Sequence, residues 1–209
     1  MPTDLIYAIR LASYRDAAKA EDRAVVFDLE DRLVVLVADG AGGITHGGAA
    51  ADAVVGVVED RAAHLADVEA CIELLREADH IVQATGGETT AVLLVIDDGG
   101  ICGASSGDSE AWVIRKDGSI DDLTAHQHLK RRVGSGRAVP VGFERVGALQ
   151  GTLVVGTDGL YRYARPEAIA EVVTSAGGPE DAAEALVDLV RPPSGELIDD
   201  VGVVLRSDE

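Results

Sequence analysis

Short apolar runs separated by polar or glycine-containing segments dominate the pattern of the chain. The runs are rich in β-branched residues and are bounded by Gly or Asp, which is typical of buried strands. They lie at residues 24–27, 33–38, 91–96, 111–114, 152–156 and 201–205. The polar segment 28–32 predicts a turn between the first two runs, so we expect them to form an antiparallel hairpin. A further turn is predicted at 116–118.

Helical patterns occupy stretches between these strands. One stretch has apolar residues at a helical period and ends at a Gly-Gly pair, while Pro166 and Pro179 are typical of the first turn of shorter helices. The predicted helices cover 47–65, 68–85, 167–174 and 180–190. Because the strands cluster rather than alternate with helices, the order favours an α+β fold.

No composition shift divides the chain, so we expect a single domain over residues 1–209. Its least regular part is 127–147, which is basic, contains glycine and lacks a clear period. We interpret this segment as loop or short irregular structure.

Composition and charge exclude several classes of protein. The 209 residues include 18 Lys and Arg against 37 Asp and Glu, which gives a formal net charge of −19. So acidic a chain is a poor ligand for nucleic acid or an anionic membrane, and we expect neither as a partner. Hydrophobic residues make up 47% of the chain, which is too many for a solvated acidic tail.

Signals for localisation are few. Residues 1–10 lack a signal-peptide pattern, and no apolar run reaches the length of a membrane span. Cys71 and Cys102 have no metal-ligand spacing, and two cysteines in a chain of this size fit a reducing compartment. We therefore expect a cytoplasmic protein.

Acidic residues recur at the ends of the predicted strands. They are Asp22, Asp39, Asp108, Asp158, Asp199 and Asp200, and several of them adjoin glycine. Converging carboxylates repel one another unless they are protonated or bridged by a cation. An all-oxygen set of this kind suits Mg²⁺ or Mn²⁺ better than Zn²⁺. One Asp-Gly pair is more often a simple turn, but recurrence at strand ends favours a metal site.

The same segments carry a resemblance to a known family. VADGAGG (37–43), GETTAVLLVI (87–96), SSGDSEAWVI (105–114) and VVGTDGLY (154–161) resemble motifs of the PP2C-type, metal-dependent protein serine/threonine phosphatases. KAEDRAVV (19–26), LTAHQH (123–128) and IDDVGVVL (198–205) resemble three further motifs of that family. The motifs follow the family's order from residue 19 to 205, so the resemblance covers nearly the whole chain.

This resemblance implies a PP2C-like β-sandwich of two antiparallel sheets flanked by helices, in four αββα layers. It implies two Mg²⁺ or Mn²⁺ ions that activate a water for in-line attack on phosphorus. The implied ligands are Asp22, Asp39, Asp158, Asp199 and the carbonyl oxygen of Gly40. Glu21 would act through water, and Asp108 matches the family's third-metal aspartate. The implied partners are phosphorylated proteins, the substrates of a serine/threonine kinase, and we expect a monomer.

Several positions depart from the family's pattern. Ala17 stands where the family has an arginine that grips the phosphate, so Arg15 or Lys19 is a candidate for that task. His46 is a candidate proton donor, although a solvated loop histidine is the commoner case. Arg162 stands where an acidic residue often completes the third-metal site, which counts against a tightly bound third ion. The segment 127–147 corresponds to a shortened flap.

A cluster of basic residues stands out against the acidic background. It consists of Lys130, Arg131, Arg132 and Arg137. Such a cluster is most often a solvated loop, but here it could also recruit a phosphoprotein to the site.

Other functions remain open. GASSG (103–107) matches the nucleophile elbow of serine hydrolases, with Asp121 or Asp122 and His126 to follow, but the sequence after Ser105 favours a strand over the required helix. The glycine-rich loop 40–48 lacks the Lys-Ser/Thr pair of a P-loop. A catalytically weak or inactive phosphatase-like protein that binds phosphoproteins is the stronger alternative.

Overall fold

The computed structural model describes residues 7–14, 20–41 and 46–208. Within them, ten strands form two antiparallel sheets of five. The first sheet has the order β1-β10-β9-β6-β7 and the second the order β2-β3-β4-β5-β8. The strands are β1 (Tyr7–Ala12), β2 (Asp22–Asp28), β3 (Leu33–Asp39), β4 (Ala91–Asp97), β5 (Gly100–Ser106), β6 (Glu110–Ile114), β7 (Ile120–Asp122), β8 (Val141–Val146), β9 (Thr152–Gly156) and β10 (Val201–Ser207).

The helices lie on the outer faces of the two sheets. They are α1 (Gly47–Glu59), α2 (Val68–Gln83), α3 (Asp158–Tyr161), α4 (Pro166–Ser175) and α5 (Pro179–Leu189), with a 3₁₀ turn at Ala62–His64. Helices α1 and α2 pack on the second sheet, while α4 and α5 pack on the first. The two sheets pack face to face, so the chain has four layers in the order αββα, as expected.

Burial on both faces explains the continuous apolar runs. In β3, Val35 and Val37 point into the space between the sheets, whereas Val34 and Leu36 pack against α1 and α2. Every residue from Leu33 to Ala38 is fully buried. A strand covered on both faces needs apolar residues at every position, which is why the sequence shows runs rather than alternation.

The predicted strands are all present, and the hairpin turn at 28–32 is closed by the Leu29 N–H, which donates to Arg32 O at 2.9 Å. The predicted helix 47–65 ends earlier, at Glu59, and only the 3₁₀ turn follows it. The interpretation of 127–147 as irregular is wrong at its end, because β8 pairs there with β5. Strands β1, β5 and β7 and the short helix α3 were not predicted.

No helix in the described part of the chain is both long and apolar enough to cross a membrane.

Candidate metal centre

The open end of the β2–β3 hairpin brings two carboxylates together. The register of this antiparallel pair places Asp22 directly opposite Asp39. The backbone of Asp39 is fixed from the other side, since its N–H donates to Thr90 Oγ1 at 2.9 Å and its carbonyl accepts from Thr89 Oγ1 at 2.8 Å. The threonine pair that precedes β4 therefore holds Asp39 in place.

Burial and like charge make this pair easy to protonate. Burial, together with the nearby charges of Asp200 and Asp199, raises the pKa of Asp22 to about 7, against the lowering effect of hydrogen bonds with Thr157 and Asp39. Burial also raises the pKa of Asp39 to about 9, with Asp22, Asp158 and Asp199 adding to the shift. Because the charge of each of these carboxylates affects the pKa of the others, the carboxylates lie near one another.

The other two candidate ligands lie at the ends of strands of the first sheet. Asp158 opens α3 directly after β9, and Asp199 lies just before β10, which pairs with β9. Burial raises the pKa of both groups. Gly159 is required here because a Cβ on it would lie 1.9 Å from the carbonyl oxygen of Asp200.

Asp200 has a structural task that the sequence did not reveal. One of its carboxylate oxygens accepts the N–H of Tyr14 at 2.7 Å and the other accepts the N–H of Glu21 at 2.8 Å. The side chain therefore ties the start of β10 to the segment that leads into β2, and so aligns Asp199 with Asp22.

Gly40 and Glu21 join β3 to the start of α1. A Cβ on Gly40 would lie 2.4 Å from the carbonyl carbon of Gly47, so only glycine allows this approach. The Gly40 N–H donates to Glu21 O at 3.2 Å, and Glu21 Oε1 accepts the N–H of Gly48 at 3.3 Å. The Glu21 side chain thus accepts a hydrogen bond from the N-terminal turn of α1, next to the facing Asp22 and Asp39.

The other candidate residues are placed differently. His46 is exposed, has a φ of +80° and precedes α1 without a side-chain hydrogen bond to it. Arg15 and Lys19 lie outside the described residues, as does Ala17. Asp108 follows β5, with its Oδ2 3.7 Å from Nη2 of Arg132 and its Oδ1 buried without a hydrogen-bond partner.

The donor set fits a hard divalent cation in its chemistry. Within residues 7–14, 20–41 and 46–208, no three His, Cys, Asp or Glu side chains are grouped closely enough to hold a metal ion as they stand. Asp22 Oδ2 is buried with no hydrogen-bond partner, and a buried carboxylate oxygen without a donor is costly unless a proton or cation satisfies it. All the candidate donors are oxygens, which Mg²⁺ and Mn²⁺ prefer.

The structure contradicts the serine-hydrolase alternative. Ser105 is 1% exposed within β5, where it pairs with Val92 and Val141. Strand β6, not a helix, follows it. A surface cavity of about 330 Å³ lies away from the candidate metal centre. Arg115, Lys116 and the residues that precede α5 line it, and none of the four candidate ligand aspartates does.

The raised pKa values predict how stability depends on pH. The unfolded chain releases its carboxyl protons near pH 4, whereas folded Asp22 and Asp39 keep theirs to about pH 7 and about pH 9. The stabilisation from these protons is complete below pH 4 and is lost as pH rises through the folded values. The free energy of unfolding of metal-free protein, measured by urea denaturation in EDTA, should therefore fall from pH 5 to pH 9.

The Asp22→Asn variant is the control for this dependence, because Glu110, whose pKa burial raises to about 7, titrates in the same window. The variant should show a shallower slope than the wild type. Added Mn²⁺ should stabilise the wild type more at pH 8 than at pH 6, since bound metal displaces the protons. Equal slopes for wild type and variant would contradict the assignment.

Two antiparallel five-stranded sheets with helices on both outer faces define the PP2C-like phosphatase fold, and the chain has this fold. The serine/threonine phosphatase Stp1 from Staphylococcus aureus is similar, with 22% identity over 99% of this chain and 96% of that chain and a TM-score of 0.82. The catalytic domain of the serine/threonine protein phosphatase PstP, in complex with two manganese ions, has 20% identity over 97% of both chains and a TM-score of 0.76. RsbX in complex with magnesium has 16% identity over 96% of this chain and 94% of that chain, with a TM-score of 0.76.

No protein-family model and no curated protein matches the sequence. At these identities the structural likeness establishes the fold, and the function rests on the site.

Proposed function

We propose that this chain is a metal-dependent phosphatase that hydrolyses phosphoserine and phosphothreonine in proteins. The observation that carries the proposal is the pairing of buried Asp22 with half-buried Asp39 at the hairpin end, with Asp158 and Asp199 close enough to raise the pKa of Asp39. Neighbouring carboxylates, one of them buried with an unsatisfied oxygen, have the chemistry of a cation site. The two metal-bound structures with this fold support the same proposal.

Each candidate ligand has a distinct place in the proposed centre. Asp22 and Asp39 would hold the ions from the second sheet and Asp158 and Asp199 from the first, with the Gly40 carbonyl as a further oxygen. Bound Mg²⁺ or Mn²⁺ would supply an activated water and positive charge for the phosphoryl oxygens. A chain with a net charge of −19 needs this positive charge to accept a phosphate. Glu21 and Asp200 would keep the two halves in register.

Phosphorylated proteins are the proposed substrates, which places the chain opposite a serine/threonine kinase in signal transduction. The alternative is a protein of the same fold that binds phosphoproteins without turnover. The neighbouring aspartates favour activity, because a binding protein gains nothing from partly desolvated carboxylates that repel each other.

The test is metal-dependent turnover. The purified protein with Mn²⁺ should hydrolyse p-nitrophenyl phosphate, EDTA should abolish turnover, and excess Mn²⁺ should restore it. Ordinary turnover in metal-free buffer would overturn the proposed mechanism. Measured Mn²⁺ binding without turnover, on p-nitrophenyl phosphate and on a panel of phosphopeptides, would favour the binding protein.

A further inference from the structure

One basic side chain reaches the proposed metal centre from the segment between β7 and β8. Arg132 Nη2 lies 3.7 Å from Oδ2 of Asp108, the aspartate after β5 that the family resemblance assigns to a third metal. Its side chain is 33% exposed, but its Nε is buried and has no hydrogen-bond partner. A buried donor without an acceptor is costly, so this guanidinium is not satisfied by the protein alone.

Backbone contacts hold Arg132 in position. On one side, the hydroxyl of Ser106 donates to the carbonyl oxygen of Arg131. On the other, Val133 and Thr89 exchange two backbone hydrogen bonds of 2.9 Å. Thr89 also donates to the carbonyl of Asp39, so Arg132 is tied through two residues to the facing aspartates.

A buried carboxylate fixes the rest of this segment. Asp79 on α2 is 4% exposed, and its two oxygens accept three backbone N–H groups. The donors are Gly134 at 2.7 Å, Gly136 at 3.0 Å and Ala138 at 3.1 Å. The backbone that carries Arg132 is therefore set before any ligand arrives, which lowers the entropic cost of binding one.

The other cations nearby are placed less well. Lys130, Arg131 and Arg137, the remaining members of the basic cluster, are exposed. Arg162 is 67% exposed and pairs with Asp158 one helical turn away, at 3.5 Å. Because the Arg162 side chain is mostly in solvent, screening weakens this pair and it contributes little.

We propose that Arg132 binds the phosphoryl group of the substrate, an inference that rests on the proposed metal centre. The distance to Asp108 exceeds a hydrogen bond, so the contact leaves the guanidinium donors available for a stronger acceptor. A phosphate monoester dianion offers several oxygens to which a planar guanidinium can donate two parallel hydrogen bonds. The ligand class is therefore a phosphate monoester, and its simplest probe is inorganic phosphate.

The experiment measures phosphate binding apart from turnover. Titration calorimetry would follow inorganic phosphate binding to Mn²⁺-loaded wild type, Arg132→Ala and Arg132→Lys. Arg137→Ala is the matched control, since it removes an exposed cation of the same cluster. Arg132→Ala should raise the Kd for phosphate and the KM for p-nitrophenyl phosphate by about 10- to 100-fold, with a smaller change in kcat. Arg132→Lys should keep part of the phosphate affinity, because lysine retains the positive charge but cannot donate two parallel hydrogen bonds.

Mn²⁺ affinity, measured without phosphate, separates the possible results. It should be unchanged or tighter in Arg132→Ala, because the cation that pairs with Asp108 has been removed. Weaker Mn²⁺ binding together with a lowered melting temperature would show that Arg132 only supports the fold, and would overturn the inference. A Kd for phosphate equal to that of the wild type would also overturn it. If the wild type binds phosphate through Arg132 but does not turn over, the inference stands and proposed catalysis fails.

Discussion

Asp39→Asn is expected to lower kcat for p-nitrophenyl phosphate by about a thousandfold, the consequence of losing several kcal/mol of charge stabilisation. Asn keeps the shape of the side chain but removes the negative charge that would hold a cation between Asp39 and Asp22. The contacts from Thr89 and Thr90 go to the backbone of residue 39, so the substitution leaves them intact. The measurement is kcat at saturating Mn²⁺, together with the Kd for Mn²⁺.

A second readout distinguishes loss of a ligand from loss of the fold. Because burial and neighbouring carboxylates disfavour the ionised form of Asp39, the neutral Asn should raise the melting temperature of metal-free protein at pH 8. Activity should therefore fall while metal-free stability rises. Asp98→Asn, at an exposed position in the turn after β4, is the control and should change neither. Near-normal kcat in Asp39→Asn would remove Asp39 from the centre.

The hairpin half of the site could be predicted from the sequence because it is local. A short turn at 28–32 between two apolar runs sets the register, and that register puts Asp22 opposite Asp39. The other half depends on β10 pairing with β9, a long-range contact that no local pattern specifies. There the position at strand ends indicated Asp158 and Asp199 as candidates, and only the family resemblance placed them in one site with Asp22 and Asp39.

Strands β8 and β5 were missed because each lacks a continuous apolar run, for a different physical reason. Strand β8 is a half-exposed edge strand with glycine and charged residues, so it lacks the apolar run of a buried strand. Strand β5 is built from small residues because its neighbours approach closely. A Cβ on Gly103 would lie 2.5 Å from the carbonyl oxygen of Leu93. Glycine predicts a break in a strand, and here the close approach to β4 outweighs that tendency.

The sequence alone does not single out Arg132. In the sequence it is one of four basic residues, and nothing distinguishes it from Arg131 or Arg137. Its difference comes from Ser106, Thr89 and Asp79, which are remote in the chain and meet only in the folded protein. Asp79 itself falls within a helical pattern as an ordinary polar residue.

Asp79→Ala is expected to lower the free energy of unfolding by about 3 kcal/mol, since it leaves buried backbone N–H groups without their acceptor. Gly134 and Gly136 have φ of +94° and +66°, so the segment adopts a conformation that few other residues allow and that Asp79 stabilises. Asp79→Asn should cost less, because its amide oxygen can still accept the two N–H groups that Oδ1 holds. Urea denaturation measures both variants.

The same substitution should act on the site through Arg132. If Asp79 fixes the segment, Asp79→Ala should weaken inorganic phosphate binding by about tenfold while Mn²⁺ affinity stays near that of the wild type. Glu77→Ala is the control on the same helix. Glu77 makes an exposed pair with Arg61 at 3.2 Å, and loss of such a pair costs less than about 1 kcal/mol. Equal stabilities of Asp79→Ala and Glu77→Ala would show that water can replace the Asp79 carboxylate. That result would contradict the assignment of Asp79 as the residue that fixes the backbone around Arg132.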